Sequence, residues 1–575
     1  MSRGHAALLP VAVLLAGAAL AGTPPPAAVF EWFEYSGHDD VFDEPLADAG
    51  YRNPIVAGFF PDPSITRRGD DWYMVHSSFA YTPGLPVLHS RNLVDWRLVG
   101  HALTREQQVR LTGLGVSRGI FAPTIRYHDG LFWLVTTAVD AGGNFLLTAA
   151  DPAGPWSEAA WLPEIDGIDP DLFFDDDGRA WIAHNGPPEG APRYDGHRAI
   201  WLWEFDAEAR RVVPGSGRVI VDAGTNPAAR PIWIEAPHLY KENGWYYLLC
   251  AEGGTGYDHS AVVFRARRLD EPFVPYAGNP ILTQRNLDPA RPAPVTSAGH
   301  ADLVRTPEGE WWAVFLATRP YERIYYNTGR ETFLLPVRWQ DGWPVILDAG
   351  LPVPWQAPRP YPDRRETVTA PLTGNFTWRD EFAAGTLDLH WSMLRGFDRD
   401  WFTLAGGTLV MRPKAEPMST LEQPAYLGRR QQHLAWRATT ALRLPAGTGM
   451  SAGLVAFQNE THHYYLGVRR RQAGGYTLFL EQASGSLPQT IRSIALEGQP
   501  GERIVLGMSG DAGRIGFDWQ LGDREPESLA EGLDAKLLST EVAGGFVGTT
   551  VGPHARLEPW QAAGGRPGGR YRRSR

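Results

Sequence analysis

The chain has 575 residues, which is too long for one ordinary hydrophobic core, so we expect two domains. Its composition, 43% hydrophobic and 21% charged, is typical of a folded protein and excludes a fully disordered chain. The formal net charge of -11 argues against a nucleic-acid partner and favours a neutral substrate.

The first 25 residues have the pattern of an export signal. Arg3 and His5 precede an apolar stretch from Ala6 to Ala21 that ends in small residues suited to signal cleavage. We therefore predict a signal peptide over 1–25, a periplasmic or extracellular location, and no membrane attachment after cleavage; a retained anchor is the alternative. Cys250 is the only cysteine, so no intramolecular disulfide and no thiolate zinc site is expected.

A repeated pattern occupies the first 340 residues. Each copy is a short segment with an apolar end, then a polar or glycine turn, then an aromatic-rich strand, and the copies recur at intervals of about 60 residues. Strand-only repeats of this length predict an all-β fold, a five-bladed β-propeller over 26–350; a chance series of hairpins in a β-sandwich is the alternative. The five copies span 62–75, 122–135, 169–182, 236–249 and 300–315.

The phase of the repeat brings acidic residues together. If the copies superpose, their first residues all lie at one end of the innermost strands, around the axis. Three carboxylates then lie close together, with an aromatic residue and a histidine beside them. Holding like charges together costs free energy, so such a cluster indicates a functional role. The residues concerned are Asp62, Phe121, Ala122, Asp169, Glu235, Ala236 and His300.

Paired carboxylates suit the hydrolysis of a glycosidic bond. That reaction needs an acid that stays protonated near neutral pH and a base or nucleophile on the other side of the bond. Each residue alone also has a structural explanation: Asp62 and Asp169 each precede proline, a common turn, and His300 could be an ordinary core residue. Their joint occurrence at equivalent repeat positions favours a catalytic site.

Around these residues the chain resembles glycoside hydrolase family 43. The resemblance covers nearly all of the chain after the signal peptide. Its motifs are Asn-Pro at 53–54 with Gly-Phe-Phe-Pro-Asp-Pro-Ser-Ile at 58–65, Ile-Asp-Pro-Asp-Leu-Phe at 168–173, Glu-Ala-Pro-His-Leu-Tyr-Lys at 235–241, Gly-His-Ala-Asp-Leu-Val at 299–304, and Gly-Arg-Glu-Thr-Phe-Leu at 329–334.

The resemblance implies a five-bladed propeller and hydrolysis with inversion of configuration. It implies that Asp62 is the general base, Glu235 the general acid, and Asp169 the residue that raises the pKa of Glu235 and orients it. It also implies that Arg330 binds sugar hydroxyls and that His300 lies under the site. It implies no required cofactor and leaves open a calcium ion near the axis; the residues themselves predict no metal site.

Two positions depart from the family pattern. Phe121 stands where a tryptophan is common, so an aromatic wall remains but its N–H donor is lost. Ala236 stands where glycine is usual, and we expect one added methyl group to leave Glu235 in place. Phe79 matches an aromatic residue that lines the terminal subsite in related xylosidases.

The remainder of the chain is predicted to form a second domain. Residues 351–372 are rich in proline, which indicates a stiff linker. Residues 373–560 contain alternating and apolar runs and resemble the jelly-roll β-sandwich that follows the propeller in the xylosidase-like branch; residues 561–575 are rich in Gly and Arg and are predicted to be disordered. We expect the sandwich to brace the propeller and shape one wall of the pocket, with sugar binding as the alternative.

The main hypothesis is therefore an exo-acting β-xylosidase that removes terminal xylose from xylo-oligosaccharides. An α-L-arabinofuranosidase, or an enzyme with both activities, is the nearest alternative, and an endo-acting arabinanase is a weaker one. From another class, the chain could be a carbohydrate-binding propeller without catalysis. The only partner predicted is an oligosaccharide substrate, and the sequence does not indicate an oligomeric state.

Overall fold

A computed structural model describes residues 26–558. The predicted signal peptide at 1–25 and the predicted disordered tail at 561–575 lie outside these residues. Over the described range no helix is both long and apolar enough to cross a membrane.

The first part of the chain forms antiparallel sheets whose boundaries follow the sequence repeat. Strands are numbered in chain order. The first three sheets contain β3 (Ser64–Arg68), β4 (Asp71–Val75), β6 (Gly84–Ser90) and β7 (Arg97–Leu103); then β8 (Gly119–Ile120), β9 (Thr124–His128), β10 (Leu131–Val139), β11 (Gly143–Ala149) and β12 (Ala160–Trp161); then β13 (Ile168–Phe174), β14 (Ala180–Gly186), β15 (Ala199–Asp206), β16 (Arg211–Val212) and β17 (Arg218–Asp222).

Two further sheets complete a propeller. The innermost strands β3, β9, β13 and β18, together with β23, contact one another in sequence, and β23 returns to β3, so the sheets close around an axis. These sheets contain β18 (Glu235–Glu242), β19 (Trp245–Glu252), β20 (Ser260–Ala266), β21 (Val274–Pro275) and β22 (Leu282–Thr283); then β23 (Thr296–Arg305), β24 (Trp311–Thr318), β25 (Glu331–Gln340) and β26 (Trp343–Val345).

Turn chemistry explains why these hairpins form. At the β18–β19 turn, Asn243 and Gly244 have φ of 50° and 74°, and at the β9–β10 turn Asp129 and Gly130 have φ of 48° and 79°. Two consecutive positive φ values define the turn that suits the twist of paired strands, and Asn-Gly and Asp-Gly tolerate it best. Apolar side chains between neighbouring sheets then form the core, as Leu249 and its neighbours do against β24.

The second part of the chain is a β-sandwich of two antiparallel sheets. One contains β1 (Ala28–Gly37), β28 (Phe376–Asp380), β30 (Phe402–Leu404), β31 (Leu409–Met411), β33 (Ala435–Arg443), β38 (Arg503–Asp511), β39 (Arg514–Leu521) and β40 (Glu527–Asp534). The other contains β32 (Arg429–Arg430), β34 (Met450–Asn459), β35 (His462–Arg470), β36 (Tyr476–Ser484), β37 (Gln489–Leu496) and β41 (Thr550–Leu557).

The short elements complete the description. Two strand pairs lie outside the large sheets, and one of them joins the two domains. They are β2 (Gly50–Arg52) with β27 (Gln356–Pro358), and β5 (Tyr81–Thr82) with β29 (Met393–Leu394). Between residues 26 and 558 the helical segments are three 3₁₀ turns, Asp40–Phe42, Pro227–Ala229 and Lys536–Leu538, and the single-turn helix α1 (Thr540–Ala543).

The predicted domain boundary needs one correction. The sequence analysis placed residues 26–350 in the propeller, but β1 pairs with β28, β31 and β33 and lies inside the sandwich sheet. Its alternating buried residues, among them Phe33 and Tyr35, belong to the sandwich core. The described part of the chain therefore starts in the sandwich, forms the propeller and returns to the sandwich, a pairing that local patterns cannot indicate.

The connection at 351–372 lies against the propeller along part of its length. Within it, β27 pairs with β2, and the carbonyl of Leu372 accepts a hydrogen bond from Ala57 N at 2.7 Å. The sandwich also contacts the segment that leads to Asp62: Arg430 Nε donates to Phe59 O at 2.8 Å, and Gln432 Nε2 donates to Ala57 O at 3.0 Å. The second domain thus supports the backbone that holds an acidic residue at the axis.

Candidate active site

One pocket at the end of the propeller axis gathers every site residue predicted from the sequence. Its volume is about 330 Å³, within the range of small-ligand sites. The predicted residues in its lining are Asp62, Phe79, Phe121, Asp169, Glu235, His300 and Arg330.

Irregular backbone turns the acidic side chains toward the pocket. Asp62, Asp169, Ala236 and His300 occupy equivalent repeat positions, and all four have positive φ, between 49° and 55°. The strand register also shifts here in β13, β18 and β23. Bulges of this kind redirect side chains, and non-glycine residues at positive φ cost about 1–3 kcal/mol each unless the surroundings hold them.

The backbone at position 236 explains one departure from the family pattern. A φ of 49° favours glycine, which accounts for the glycine usual at this place. Ala236 adopts the same conformation, and its N–H donates to Asp169 Oδ2 at 3.2 Å. The methyl group is therefore accommodated, and Glu235 still lines the pocket, as expected.

Asp62 lies in a setting that favours its ionised form. It accepts hydrogen bonds from Arg330 Nη1 at 2.7 Å and from Ser77 Oγ at 2.5 Å. Burial by itself would raise the pKa of Asp62, but the charge of Arg330 and the hydrogen bond from the Ser77 hydroxyl outweigh it and hold the pKa below its usual value. A buried carboxylate that stays ionised can accept a proton from water.

Glu235 has the opposite electrostatic setting. Its enclosure in the protein and the nearby negative charge of Asp62 raise the pKa of Glu235 to about 7, although Arg330 and Arg198 act in the other direction. Near neutral pH a substantial fraction of Glu235 is therefore protonated. A carboxyl group in this state can donate a proton to a leaving oxygen.

Asp169 is linked electrostatically to Glu235. Burial, followed by the charges of Glu235 and Asp62, raises the pKa of Asp169 well above its usual value, against the hydrogen bond from Ala236 N. Repulsion between two carboxylates is mutual, so Asp169 and Glu235 titrate as a pair. The structure thus places Asp169 where it can influence the protonation of Glu235.

His300 lies beneath the carboxylates and is neutral. Its Nδ1 is 3.6 Å from Asp62 Oδ1, and burial lowers its pKa to about 3 despite the charge of Asp62. His259 lies nearby, and burial lowers its pKa to about 4. A neutral imidazole supports Asp62 sterically without adding a second full positive charge beside it.

An arginine occupies the axis one layer below this ring. Arg126 Nη2 lies 2.6 Å from Asp171 Oδ1, and Arg126 Nη1 lies 3.0 Å from Asp302 Oδ2. Asp302 also accepts from Tyr240 Oη at 2.5 Å and from Ser64 Oγ at 2.7 Å. The two fully buried carboxylates thus share one guanidinium, and hydrogen bonds from neighbouring side chains hold Asp302 in addition.

The residues at the axis do not fit a metal ion held by protein ligands. Across residues 26–558, the only group of three metal-ligating side chains within reach of one point is exposed His38, Asp40 and Asp43, away from the pocket. At the axis, the guanidinium of Arg126 already lies between Asp171 and Asp302 and pairs with both.

Three phenylalanines form an apolar wall of the pocket, and one of them comes from the sandwich. Phe546, in the loop between α1 and β41, packs parallel to Phe79 at a centroid distance of 6.1 Å and edge-on to Phe121 at 5.7 Å. Its backbone N–H donates to Ser117 Oγ at 2.9 Å, which ties the loop to the propeller. The sandwich therefore shapes one wall of the pocket, as predicted.

Sequence reasoning missed several residues of the pocket. Phe546 is distant in sequence, and Arg198 and Trp233 lie in loops outside the repeat. Val139, Ile168 and Asn185 lie at strand ends, where the repeat pattern does not show which side chains face the pocket. Trp233 gave the best available sign, an aromatic residue two positions before Glu235. The missed lining residues are Arg118, Val139, Gly167, Ile168, Asn185, Arg198, Trp233, Thr255 and Phe546.

Comparison with known proteins agrees with this geometry. The profile described as Glycosyl hydrolases family 43 matches residues 51–344, and the profile described as Beta xylosidase C-terminal Concanavalin A-like domain matches residues 379–561. The chain belongs to glycoside hydrolase family 43. It is thus a glycosidase with the propeller and sandwich arrangement of that family.

Two relatives and one solved structure show how far the similarity extends. A protein of Butyrivibrio fibrisolvens named Xylosidase/arabinosidase is 39% identical over 511 residues, covering 88% of this chain and 95% of that protein. The non-reducing end alpha-L-arabinofuranosidase BoGH43B of Bacteroides ovatus is 33% identical over 533 residues, covering 89% and 92%. The crystal structure of a GH43_12 protein retrieved from capybara gut metagenome has a TM-score of 0.87 and 37% identity, covering 92% and 100%.

Proposed function

We propose that this family 43 enzyme removes single terminal xylose units from β-1,4-linked xylo-oligosaccharides, with inversion at the anomeric carbon. One observation carries the proposal: Asp62 and Glu235 line the same pocket, but their surroundings favour opposite protonation states. Asp62 would activate the attacking water, and Glu235 would protonate the leaving oxygen. Asp169 would raise the pKa of Glu235, and Arg330 would orient both Asp62 and the sugar.

The shape of the pocket supports action at a chain end. The phenylalanine wall, completed by Phe546, gives the apolar face of a terminal sugar a surface to pack on. Polar groups lie at the base of the same pocket, where Arg330 Nη1 also donates to Thr255 Oγ1 at 3.1 Å. An apolar wall and a few convergent polar groups suit one sugar ring.

The second candidate is release of terminal α-L-arabinofuranose, alone or together with xylose. It is favoured by the names of the two relatives, one a xylosidase/arabinosidase and the other an arabinofuranosidase. The same base and acid would serve either sugar, because the reaction at the anomeric carbon is the same.

We propose that the reaction needs no divalent cation, because the guanidinium of Arg126 already lies between the buried carboxylates of Asp171 and Asp302 and pairs with both. The apolar stretch at 6–21 supports export of the enzyme to the periplasm or the cell exterior. Its substrate would then be an oligosaccharide outside the cytoplasm.

The test is turnover of aryl β-xyloside and aryl α-L-arabinofuranoside, measured side by side, with Asp62→Asn as the inactive control. A dominant xyloside rate supports the proposal, and a dominant arabinofuranoside rate supports the second candidate. Binding without turnover by the wild type would instead indicate a carbohydrate-binding propeller.

A further inference from the structure

Arg198 stands at the mouth of the pocket on a well-defined backbone. It directly precedes β15 and lines the pocket with an exposed side chain. Its carbonyl accepts from Ala223 N at 3.0 Å, and two residues earlier Gly196 O accepts from Trp233 N at 3.0 Å. The loop that carries Arg198 is thus tied to the segment that leads to Glu235.

The positive charge of Arg198 has no acidic partner among the described residues. Three arginines line the pocket, and two have acidic partners: Arg330 binds Asp62 at 2.7 Å, and Arg118 binds Asp140 at 2.6 Å. Arg198 forms no side-chain hydrogen bond or ion pair with any residue in the range 26–558. The pocket mouth therefore carries one guanidinium whose donors remain available to a ligand.

Arg198 lines the same pocket as Glu235, the residue proposed to protonate the leaving group. Its charge acts on Glu235 and lowers the pKa of that carboxyl group, which works against an acid that must hold its proton. A cation in this place therefore does not serve proton donation. The leaving sugar must lie next to Glu235, so a group on that sugar is within reach of the same region.

Trp233 supplies an apolar surface in the same pocket as this cation. Its side chain is 42% exposed, and its backbone N–H is bonded to Gly196 on the loop that carries Arg198. An exposed indole and a guanidinium that line one pocket offer a stacking surface for a sugar ring and a charged donor for a substituent on that ring.

We propose that Arg198 and Trp233 form a binding site for a leaving-group sugar that carries a carboxylate, that is, a uronic acid side group on the oligosaccharide. This inference rests on the proposed glycosidase function and specifies its substrate class. The planar guanidinium of Arg198 matches the two oxygens of a carboxylate and can donate to both, whereas neutral sugar hydroxyls use only part of that capacity. Acidic oligosaccharides are therefore preferred over neutral ones of the same length.

The experiment compares kcat/KM for two xylo-oligosaccharides that differ only in a glucuronic acid group on the xylose next to the terminal one. For the wild type at low salt we expect the acidic substrate to be favoured by about 5- to 10-fold, as for one charge-assisted interaction at a partly exposed site. The preference should shrink as salt is added, because salt screens exposed charges. In Arg198→Gln the ratio should fall to about one, and Arg198→Lys should restore part of it.

Arg211→Gln is the matched control. Arg211 is an exposed arginine at the opposite end of the same sheet, in β16, so its loss should leave the wild-type ratio unchanged. A second readout is the pH profile: Arg198→Gln should move the loss of activity at high pH to a higher pH, because the cation that lowers the pKa of Glu235 is gone.

Two results overturn the inference: wild-type turnover with no preference for the acidic substrate, or a preference that survives in Arg198→Gln. Calorimetry of the binding of both oligosaccharides to the Glu235→Gln variant distinguishes this failure from failure of the proposed function. If the wild type turns over neither oligosaccharide, and Glu235→Gln binds the acidic one more tightly only while Arg198 is present, the carboxylate site would be supported and the glycosidase proposal contradicted.

Discussion

Replacing Glu235 by Gln tests the electrostatic account of the acid. The amide keeps the shape of the side chain but cannot donate its proton, so we expect kcat on an oligosaccharide to fall about 10²- to 10⁴-fold, the usual contribution of a general acid. The loss should be much smaller for an aryl glycoside with a good leaving group, because such a group departs without protonation.

The same change has a predictable effect on stability. The pKa of Glu235 is raised from 4.5 to about 7 in the folded protein, so the wild type loses stability as pH rises through this interval and its buried carboxyl group ionises. The loss is at most about 3 kcal/mol, from about 1.4 kcal/mol per pKa unit. Glu235→Gln avoids it, so the variant should be more stable than the wild type above pH 7.

Thermal unfolding at pH 4.5 and pH 8 measures this effect. For a domain of about 300 residues, 3 kcal/mol corresponds to a Tm difference of roughly 5 °C between variant and wild type at pH 8. Glu208→Gln, at an exposed position of the propeller, is the control and should show no such pH-dependent gain. A Glu235→Gln variant that keeps full activity on a poor leaving group, or gains no stability at pH 8, would refute the reasoning.

Three further changes test other parts of the site. Asp62→Asn should lower kcat at least 10²-fold on every substrate, aryl glycosides included, because the attacking water must be activated whatever the leaving group. If kinetic assays show a loss only on substrates with poor leaving groups, Asp62 is not the base. Phe546→Ala should raise KM about 10-fold through lost packing in the pocket, while Val542→Ala, at an exposed position nearby, should leave KM unchanged. A chelator should change neither the Tm nor the rate of turnover. Arg126→Met should destabilise the fold by about 3–5 kcal/mol in denaturation experiments, because it leaves Asp171 and Asp302 unpaired. Loss of activity on chelation that added metal restores would contradict this account.

The repeat and its phase could be read from the sequence because they depend on local physics. Alternating aromatic strands and Asp-Gly or Asn-Gly turns determine hairpins, and equivalent hairpins place equivalent residues at the axis. Asp62, Asp169 and His300 were located in this way, and Glu235 by its place one residue before the repeat.

Long-range features could not be predicted from those patterns. The pairing of β1 with the sandwich joins residues separated by hundreds of positions, and Phe546 reaches the pocket only through the packing of two domains. Arg198 and Trp233 lie in loops outside the repeat, where neither a hydrophobic period nor the residues of a turn indicate which way a side chain points. The link between Arg330 and Asp62 likewise depends on the closure of the propeller.

Proton NMR of the first sugar released from a β-1,4-linked xylo-oligosaccharide tests the central claim most directly. If Asp62 activates water while Glu235 protonates the leaving oxygen, the α-anomer of xylose should appear first and then mutarotate toward equilibrium. Initial release of the β-anomer would mean that a carboxylate attacks the sugar itself, and it would contradict the roles assigned to both residues.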